Sequence, residues 1–511
     1  MFKESQNFKS YLKMKFTKAL FFCVSIAALF SCNQDDGKID FTFLQLNDVY
    51  EIAPIQGGEY GGMARVATVH EQLLKENSNT FMFVAGDFLN PSLLGTIQYQ
   101  GERIRGKQMI ETMNAMGVDL VAFGNHEFDL SATDLQKRLD ESNFNWISGN
   151  VLQNKDGVLS PFSNKHNKVG DTFIKEFSDA DGTTIKIGFI SVCVPSNPRD
   201  YVAYKDVFKE AERSYADLKD KVDVVFGLTH VTIAQDLEIA KRLPNIPLIM
   251  GGHEHTNMLI PQGDSFVAKA DANAKTVYVH KISYDKKTKK TSIQSVLKEI
   301  NSDIVENEQT AVVVNKWQGI LKKKIKEIID KPEEIILNAQ TPLDGRDKPI
   351  RSIQTNLGVL ITKSMSYAFD DAVDCALVNG GSIRIDDELE GAITPVDIFR
   401  VLPYGGAVLK VKLKGSLLLK VLDFREKAKG TGAYLQRYNV QKKNKGWYVQ
   451  SKPINPNKIY TVAFSDYLLK GYDIPFLTEE NKEVVSVYKP TGTEKSFDIR
   501  NSIILYLKSL K

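Results

Sequence analysis

The sequence predicts an α/β protein of two domains joined by a helix. The chain has 511 residues, enough for two domains that each bury a core. From residue 38 to 300, short apolar runs alternate with helical patterns, the order expected of a layered α/β fold, and this fits a two-sheet α/β sandwich. A charged helical stretch covers 301–334. From 335 to 511 strand-like and helical runs resume, without the polar clusters that punctuate the first part. No internal repeat or low-complexity segment interrupts this plan.

Residues 1–32 are read as a lipoprotein signal. Lys3, Lys9, Lys13, Lys15 and Lys18 precede the apolar stretch Ala19 to Phe30. That stretch is shorter than the roughly 20 residues needed to span a bilayer. It ends in Leu29-Phe30-Ser31-Cys32, which resembles the bacterial lipobox. The resemblance implies Cys32 as a lipidated N-terminus, with Asn33 to Asp40 as a short polar tether. The expectation is an exported protein, lipid-anchored to a bacterial membrane and facing the periplasm or the cell exterior. The formal charge of +3 comes from this segment. The rest is near neutral, which argues against a nucleic-acid partner. No protein partner can be inferred. Cys193 and Cys375 stand in apolar runs of different halves and are expected as buried core residues without a disulfide. That leaves no thiolate for a metal and excludes a structural zinc finger.

The apolar runs of residues 38–300 share one construction. Phe41 to Leu46 ends in Asn47-Asp48-Val49-Tyr50. Met63 to Leu74 follows as a helix with Val66, Val69 and Leu73 on one face. Phe81 to Ala85 ends in Gly86-Asp87. Met109, Met113 and Met116 keep helical spacing, a stripe expected in the core. Val118 to Phe123 runs into Gly124-Asn125-His126-Glu127-Phe128-Asp129. Asp171 to Val192, with Asp181-Gly182 at its middle, reads as a hairpin. Val222 to Leu228 delivers Thr229-His230, and Ile246 to Met250 delivers Gly251-Gly252-His253-Glu254-His255. Each apolar run thus hands a metal-capable side chain to the loop at its C-terminal end, where chemistry sits in α/β folds. If the runs are neighbouring strands, Asp48, Asp87, Asn125, His126, His230, His253 and His255 converge at one sheet edge. The chain has seven histidines, and four stand in these motifs, so the joint pattern carries more than any piece. Asn125 offers a neutral oxygen. His126 can be ligand or acid, and Asp129 can accept from its imidazole and fix the tautomer. No role is evident for Glu127. His70, His166 and His280 lack partners at useful spacing and are expected on the surface or in the core.

These motifs, with Gly61-Gly62-Met63-Ala64-Arg65, resemble the calcineurin-like metallophosphoesterases, more narrowly the bacterial periplasmic 5'-nucleotidase and UDP-sugar hydrolase family. The resemblance covers nearly all of the chain after the signal. It implies an N-terminal two-sheet α/β sandwich metallophosphoesterase domain joined by a helix to a smaller α+β substrate-binding domain. It also implies two divalent ions. The nitrogen and oxygen donors suit Zn, Mn, Co or Fe rather than Ca. In the family pattern Asp87 bridges the ions. Asn125, His230 and His253 complete one site, and Asp48 and His255 serve the other. His126 and Asp129 form a dyad off the metals, with protonated His126 stabilising phosphate charge or protonating the leaving oxygen. The implied reaction converts nucleoside 5'-monophosphates to nucleoside and phosphate. UDP-sugar hydrolysis and 2',3'-cyclic-nucleotide phosphodiesterase action are alternatives. A nucleotide-binding lipoprotein without catalysis is the alternative from another class.

In the helical stretch Val312, Val313, Trp317, Ile320, Leu321, Ile325 and Ile328 keep helical spacing, and Lys322 to Lys324 with Lys326 form a solvated face. Beyond it, Arg346 to Gly358, Asn379 to Arg384, Leu402 to Gly406 and Tyr460 to Asp473 resemble the family's C-terminal domain. The resemblance implies that Arg351 and Arg384 contact phosphate, with Arg346 matching a third arginine after a one-residue shift. It implies that Tyr404 and Tyr467 sandwich a nucleobase, a contact worth about 1–3 kcal/mol per base, and that Asp473 contacts ribose hydroxyls. Gly406 and Tyr472 depart from the family pattern at positions near the base.

Tyr50 is the other departure, standing where the family usually has histidine. Two residues after Asp48 in a continuing strand, its side chain would point the same way. It could bind ferric iron as tyrosinate. It could stay neutral, with water completing the first site. Or the loop could bend so that it packs against Ile52. The neutral phenol is favoured, since an unperturbed phenol has a pKa of about 10.

Overall fold

The computed structural model describes residues 36–511 apart from 166, 197–198, 328 and 444–445. The signal segment, Cys32 and His166 lie outside the described residues. Twelve strands build two six-stranded sheets in the N-terminal domain. In chain order they are β1 (Lys38–Leu46), β2 (Thr80–Ala85), β3 (Leu120–Ala122), β4 (Asn145–Ile147), β5 (Thr172–Ser178), β6 (Thr184–Ile190), β7 (Val224–Thr229), β8 (Leu248–Gly251), β9 (Met258–Gln262), β10 (Ser265–Lys269), β11 (Thr276–Asp285) and β12 (Lys290–Glu299). The first sheet has the order β12-β11-β1-β2-β3-β4, and the second β9-β10-β8-β7-β6-β5. β1 to β4 run parallel, as do β6, β7, β8 and β10. Parallel neighbours send all their carboxyl ends to one edge, so the loops after β1, β2, β3, β7 and β8 gather there.

Side-chain alternation explains the sandwich. Ile39, Phe41 and Phe43 of β1 point between the sheets, and Leu44 and Leu46 point to the helical layer. The space between the sheets is filled with aromatics. Phe43 lies 4.9 Å from Phe83 and 5.1 Å from Phe226, ring centre to ring centre and edge to face. One polar pin crosses this layer. Gln45 donates from Nε2 to the carbonyls of Ala268 (2.8 Å) and Gly251 (3.1 Å), and its Oε1 lies 3.0 Å from His280 Nε2. His280 is therefore a satisfied core histidine. His70 is also a core histidine, with Nδ1 3.2 Å from the Met116 carbonyl and a buried Nε2 that meets no partner among the described residues. The expected hairpin is β5 and β6, turning at Gly182 with a φ of 90°. Cys193 and Cys375 are buried and free.

The helix after the sandwich runs from Glu308 to Lys326, capped by the Asn307 side chain accepting from the Thr310 N–H. Its buried stripe is Val314, Trp317, Leu321 and Ile325. Val312 is 70% exposed, which corrects its place in the predicted face. It lies two residues from Val314 and so points about 200° away from it. Trp317 is the anchor. It is fully buried, and its Nε1–H donates to Glu111 of the helix Lys107–Met116 at 3.0 Å. Among the described residues no helix is long and apolar enough to cross a membrane.

The second domain is α+β. Its five-stranded sheet has the order Leu435–Tyr438, Cys375–Asn379, Ile459–Ser465, Val408–Lys414 and Val484–Tyr488. The helices Asn356–Tyr367, Gly415–Lys427 and Ile499–Ser509 supply apolar residues to its core clusters. It docks on the sandwich through ion pairs, Arg400 with Glu51 at 3.3 Å and Lys275 with Asp387 at 3.0 Å. Truncating Trp317 removes the largest buried side chain of the linking helix. Trp317→Ala should cost about 3–5 kcal/mol, read as an earlier urea unfolding transition. An unshifted transition would show that the helix is not held by this anchor.

Candidate metal centre and active site

The site is built by sharp turns at the carboxyl edge. β1 stops at Leu46, and Asp48 then adopts a left-handed backbone with φ of 52°. Asp87 after β2 (57°) and His253 after β8 (81°) do the same. Side-chain-bearing residues rarely occupy this region, and such strain collects at functional sites. The turns aim side chains inward and lock them to one another. The Asp48 N–H donates to the Gly86 carbonyl (3.1 Å), the His253 N–H to Asp48 Oδ2 (2.9 Å) and the His126 N–H to Asp87 Oδ1 (2.7 Å). Glycine is required where these loops touch. A Cβ on Gly124 would lie 2.2 Å from Asp87 Oδ1, and one on Gly252 would lie 2.2 Å from the Ala85 carbonyl oxygen.

Asp48, Asp87 and His230 place one ligand atom each within 4.8 Å of one another, all three buried. His230 Nε2 lies 3.1 Å from Asp87 Oδ2 and 4.0 Å from Asp48 Oδ1. Its Nδ1 lies 2.7 Å from the Ala85 carbonyl, so Nδ1 carries a proton and Nε2 faces the carboxylates. Burial lowers the His230 pKa, but Asp87 and Asp48 outweigh it and lift it to about 9. The spot therefore demands positive charge, and a divalent ion meets that demand while leaving the imidazole a neutral ligand. His255 Nε2 approaches the same Asp48 oxygen, 3.4 Å from Oδ1. His253 packs edge-to-face on His230, ring centres 5.4 Å apart. Burial, then His230, hold its pKa down at about 4, the neutral form that a metal takes. Asn125 is buried at the start of the 3₁₀ turn His126–Asp129. The donor set fits metal ions.

His126 stands just outside this cluster. Its Nδ1 is 2.8 Å from Asp129 Oδ2. Burial disfavours the imidazolium, but Asp87 and then Asp129 outweigh it and raise the pKa to about 8. Asp129 also accepts from Asn90 Nδ2 (2.7 Å). The glutamate without an evident role proves to be the frame of the loops. Glu127 is fully buried and accepts backbone N–H bonds from Gly124 (2.6 Å), Asp87 (2.9 Å), Phe88 (2.8 Å) and Leu89 (3.1 Å). Asn47 is a second residue the motifs concealed. Its Nδ2 donates to Asp48 Oδ2 (2.9 Å) and the Ala270 carbonyl (3.0 Å). Lys269 is a third. It is fully buried and donates to the Val231 and Gly252 carbonyls, both at 2.7 Å. It also pairs with Asp236 at 2.8 Å and with Glu254. This clamps the loop between His253 and His255. Glu127, Asn47 and Glu254 lie inside the motifs; Lys269 stands in an apolar run with no signal of its role.

Tyr50 is buried with its hydroxyl in the site, 3.2 Å from His255 Nε2 and 3.5 Å from Asp48 Oδ1. Packing against Ile52 is thereby overturned. The continuing strand is also corrected: the inward aim comes from the left-handed turn at Asp48. Burial, then Asp87 and Asp48, push the phenol pKa well above its usual value, which favours the neutral form.

From the second domain, Arg384 reaches the dyad, with Nη2 donating to Asp129 Oδ2 at 3.0 Å. Arg351 pairs with Asp347 at 2.6 Å. Arg346 is turned onto Asp344 (2.9 Å) and Glu388 (3.2 Å) and is half exposed; these two carboxylates face each other across the paired strands Leu337–Asp344 and Glu388–Ile393 and hold it away from the dyad. Tyr467 and Tyr404 are both exposed. The Tyr467 hydroxyl donates to Asp473 Oδ1 (3.3 Å), and Asn379 Nδ2 donates to Asp473 Oδ2 (2.8 Å). Tyr472 lies beside Tyr467, ring centres 5.9 Å apart.

Residues 41–257 match the calcineurin-like phosphoesterase family, and residues 335–479 match the 5'-nucleotidase C-terminal domain. The chain is 27% identical over 473 residues to the 5'-nucleotidase of Bos taurus, covering 81% of this chain and 78% of that protein. It is 26% identical over 446 residues to the trifunctional nucleotide phosphoesterase YfkN of Bacillus subtilis, covering 80% of this chain and 29% of that longer protein. The crystal structure of a 5'-nucleotidase precursor from Thermus thermophilus shares the fold, with a TM-score of 0.67 and 22% identity over 93% of this chain and 97% of that one. The chain belongs to the calcineurin-like metallophosphoesterases that carry a 5'-nucleotidase C-terminal domain, and it is a metal-dependent phosphoric ester hydrolase with a dinuclear divalent centre.

Proposed function

We propose that the chain hydrolyses nucleoside 5'-monophosphates to nucleoside and inorganic phosphate. The observation that carries this is the meeting of the metal cluster, the His126–Asp129 pair and Arg384 of the second domain in one place. The 5'-nucleotidases among its relatives support the substrate class. The motif resemblance keeps UDP-sugar hydrolysis and cyclic-nucleotide phosphodiesterase action as arms of a substrate panel, and a relative named a trifunctional nucleotide phosphoesterase supports testing more than one nucleotide class.

Asp87, Asn125, His230 and His253 would hold one ion, and Asp48, Asp87 and His255 the other. Bound divalent ions neutralise the phosphoryl oxygens and lower the pKa of water. The chain's own residues do the rest. Protonated His126, held by Asp129, donates to the leaving oxygen or to the phosphoryl charge. Arg384, beside the same pair, offers its guanidinium to a phosphate oxygen. Tyr404 and Tyr467 offer faces for a base, and Asp473 offers acceptors to ribose hydroxyls. We also propose that Cys32 carries a lipid anchor; Cys32→Ser should then release the protein from membranes on fractionation, and retention of the variant would argue against it.

Nucleoside monophosphates should yield phosphate with Mn, Co or Zn present and none after chelation. No phosphate from any nucleotide, with metal supplied, overturns the proposal. His126 must be protonated to act, so kcat should fall as pH rises through about 8, or lower once ions neutralise Asp87. A rate that stays level above pH 9 would remove His126 as the acid. His126→Ala should cut kcat about 10²–10⁴-fold and keep the metal content, while Asp87→Ala should empty at least one site. Loss of metal from His126→Ala would instead make it a ligand. Tyr50→Phe should stay close to wild type with saturating Mn, because the neutral phenol makes no metal bond. A visible absorption band that disappears in Tyr50→Phe would reveal tyrosinate.

A further inference from the structure

His255 is gripped from both domains. Its Nε2 faces Tyr50 and Asp48 of the sandwich. Its Nδ1 faces Asp386 of the second domain, 3.2 Å from Oδ2 and 3.0 Å from the carbonyl oxygen. Both neighbours of Nδ1 can only accept, so Nδ1 carries a proton and Nε2 is the nitrogen left for a cation. Asp386 is itself held in place. Its Oδ1 accepts from the Asp347 N–H at 2.6 Å, and its backbone is left-handed with φ of 45°. A residue that keeps an unfavourable backbone at a domain boundary is over-determined by its surroundings. Two residues earlier, Arg384 binds Asp129. A single tripeptide of the second domain thus reaches both the metal cluster and the acid.

We propose that Asp386 is a positioning residue for the metal centre: from the second domain it fixes the tautomer and ring orientation of His255, so one of the two metal positions is complete only when the domains are docked. This rests on His255 being a ligand. Here the Asp386 carbonyl takes the hydrogen bond of Nδ1, and the carboxylate, 3.2 Å away, adds its charge. Groups that accept from the second nitrogen of a metal-bound imidazole, backbone carbonyls as well as carboxylates, commonly contribute about 10–100-fold to metal affinity. By linkage, filling that position favours the docked arrangement as much as docking favours filling it.

The test is metal affinity rather than turnover. The full-length protein is dialysed against a series of Mn concentrations, and bound metal is measured for the wild type, Asp386→Ala, Asp386→Asn and His255→Ala. Asp386→Ala keeps the carbonyl acceptor and removes only the carboxylate; one binding step should weaken up to about 10-fold, and the other should stay unchanged. Asp386→Asn separates positioning from support of the fold. Its amide oxygen still accepts from the Asp347 N–H, but its NH₂ meets the Nδ1–H of His255, donor to donor. It should lose at least as much affinity as the alanine variant. If Asp386 only supported the fold, the asparagine variant would bind like wild type, and the proposal would fail. It would fail equally if both variants bound both ions within about twofold of wild type while His255→Ala lost one. If His255→Ala kept both ions, the ligand assignment beneath the proposal would be the part at fault.

Discussion

Two buried carboxylates facing one imidazole set the terms for the rest of this structure. Asp48 and Asp87 are both removed from solvent and converge on His230. Like charges in such a place raise each other's pKa and resist ionisation. Burial and Asp48 push the Asp87 pKa up, yet His230 and His126 more than offset them and leave it low. The carboxylates are thus kept charged by cations around them. A pair of divalent ions satisfies this better than protons do, because it leaves His230, His253 and His255 neutral and able to ligate, while His126 keeps its proton outside the cluster. The centre is a demand for positive charge that the fold creates before any ion arrives.

The loops that meet this demand are stiff by construction. Three of the residues that reach into the cluster have left-handed backbones. Glu127 gathers backbone donors from the two loops after β2 and β3. Lys269 plays the opposite part beneath the loop after β8, a buried cation holding carbonyls and carboxylates. A buried charge without partners would cost several kcal/mol, so each can exist only where its loop folds correctly. Substrate phosphate then meets preorganised groups, the condition under which electrostatic stabilisation is strongest.

The second domain extends the same network across the boundary. Arg384 and Asp386 touch one residue each from the acid pair and the metal cluster. Arg400 and Glu51 tie the domains one residue away from Tyr50. Such contacts make domain placement and active-site chemistry parts of one equilibrium, since interactions shared by two bodies are lost when either moves.

Much of the site was written locally in the chain. Apolar runs ending in Asp48, Asp87, His126, His230 and His253 needed only the rule that parallel strands gather their carboxyl ends, because a strand buried on both faces shows itself as a short continuous apolar run. The two domains and the linking helix followed from such runs and from helical spacing, apart from Val312, whose valine neighbours make two registers look alike. The rest had to await tertiary structure. Glu127 looked idle because its partners are backbone N–H groups, which no side-chain pattern reveals. Lys269 lay hidden in an apolar strand, for its counter-charges come from Asp236 and Glu254 in other segments, 33 and 15 residues earlier. Arg351 matched the family pattern directly and Arg346 only after a one-residue shift, and the placement of Asp344 and Glu388 turns Arg346 away. The orientation of Tyr50 was set by a left-handed turn, and the hold of Asp386 on His255 by domain docking. Residue types and strand ends are properties of the local chain; who faces whom across 100 residues or more is fixed by packing.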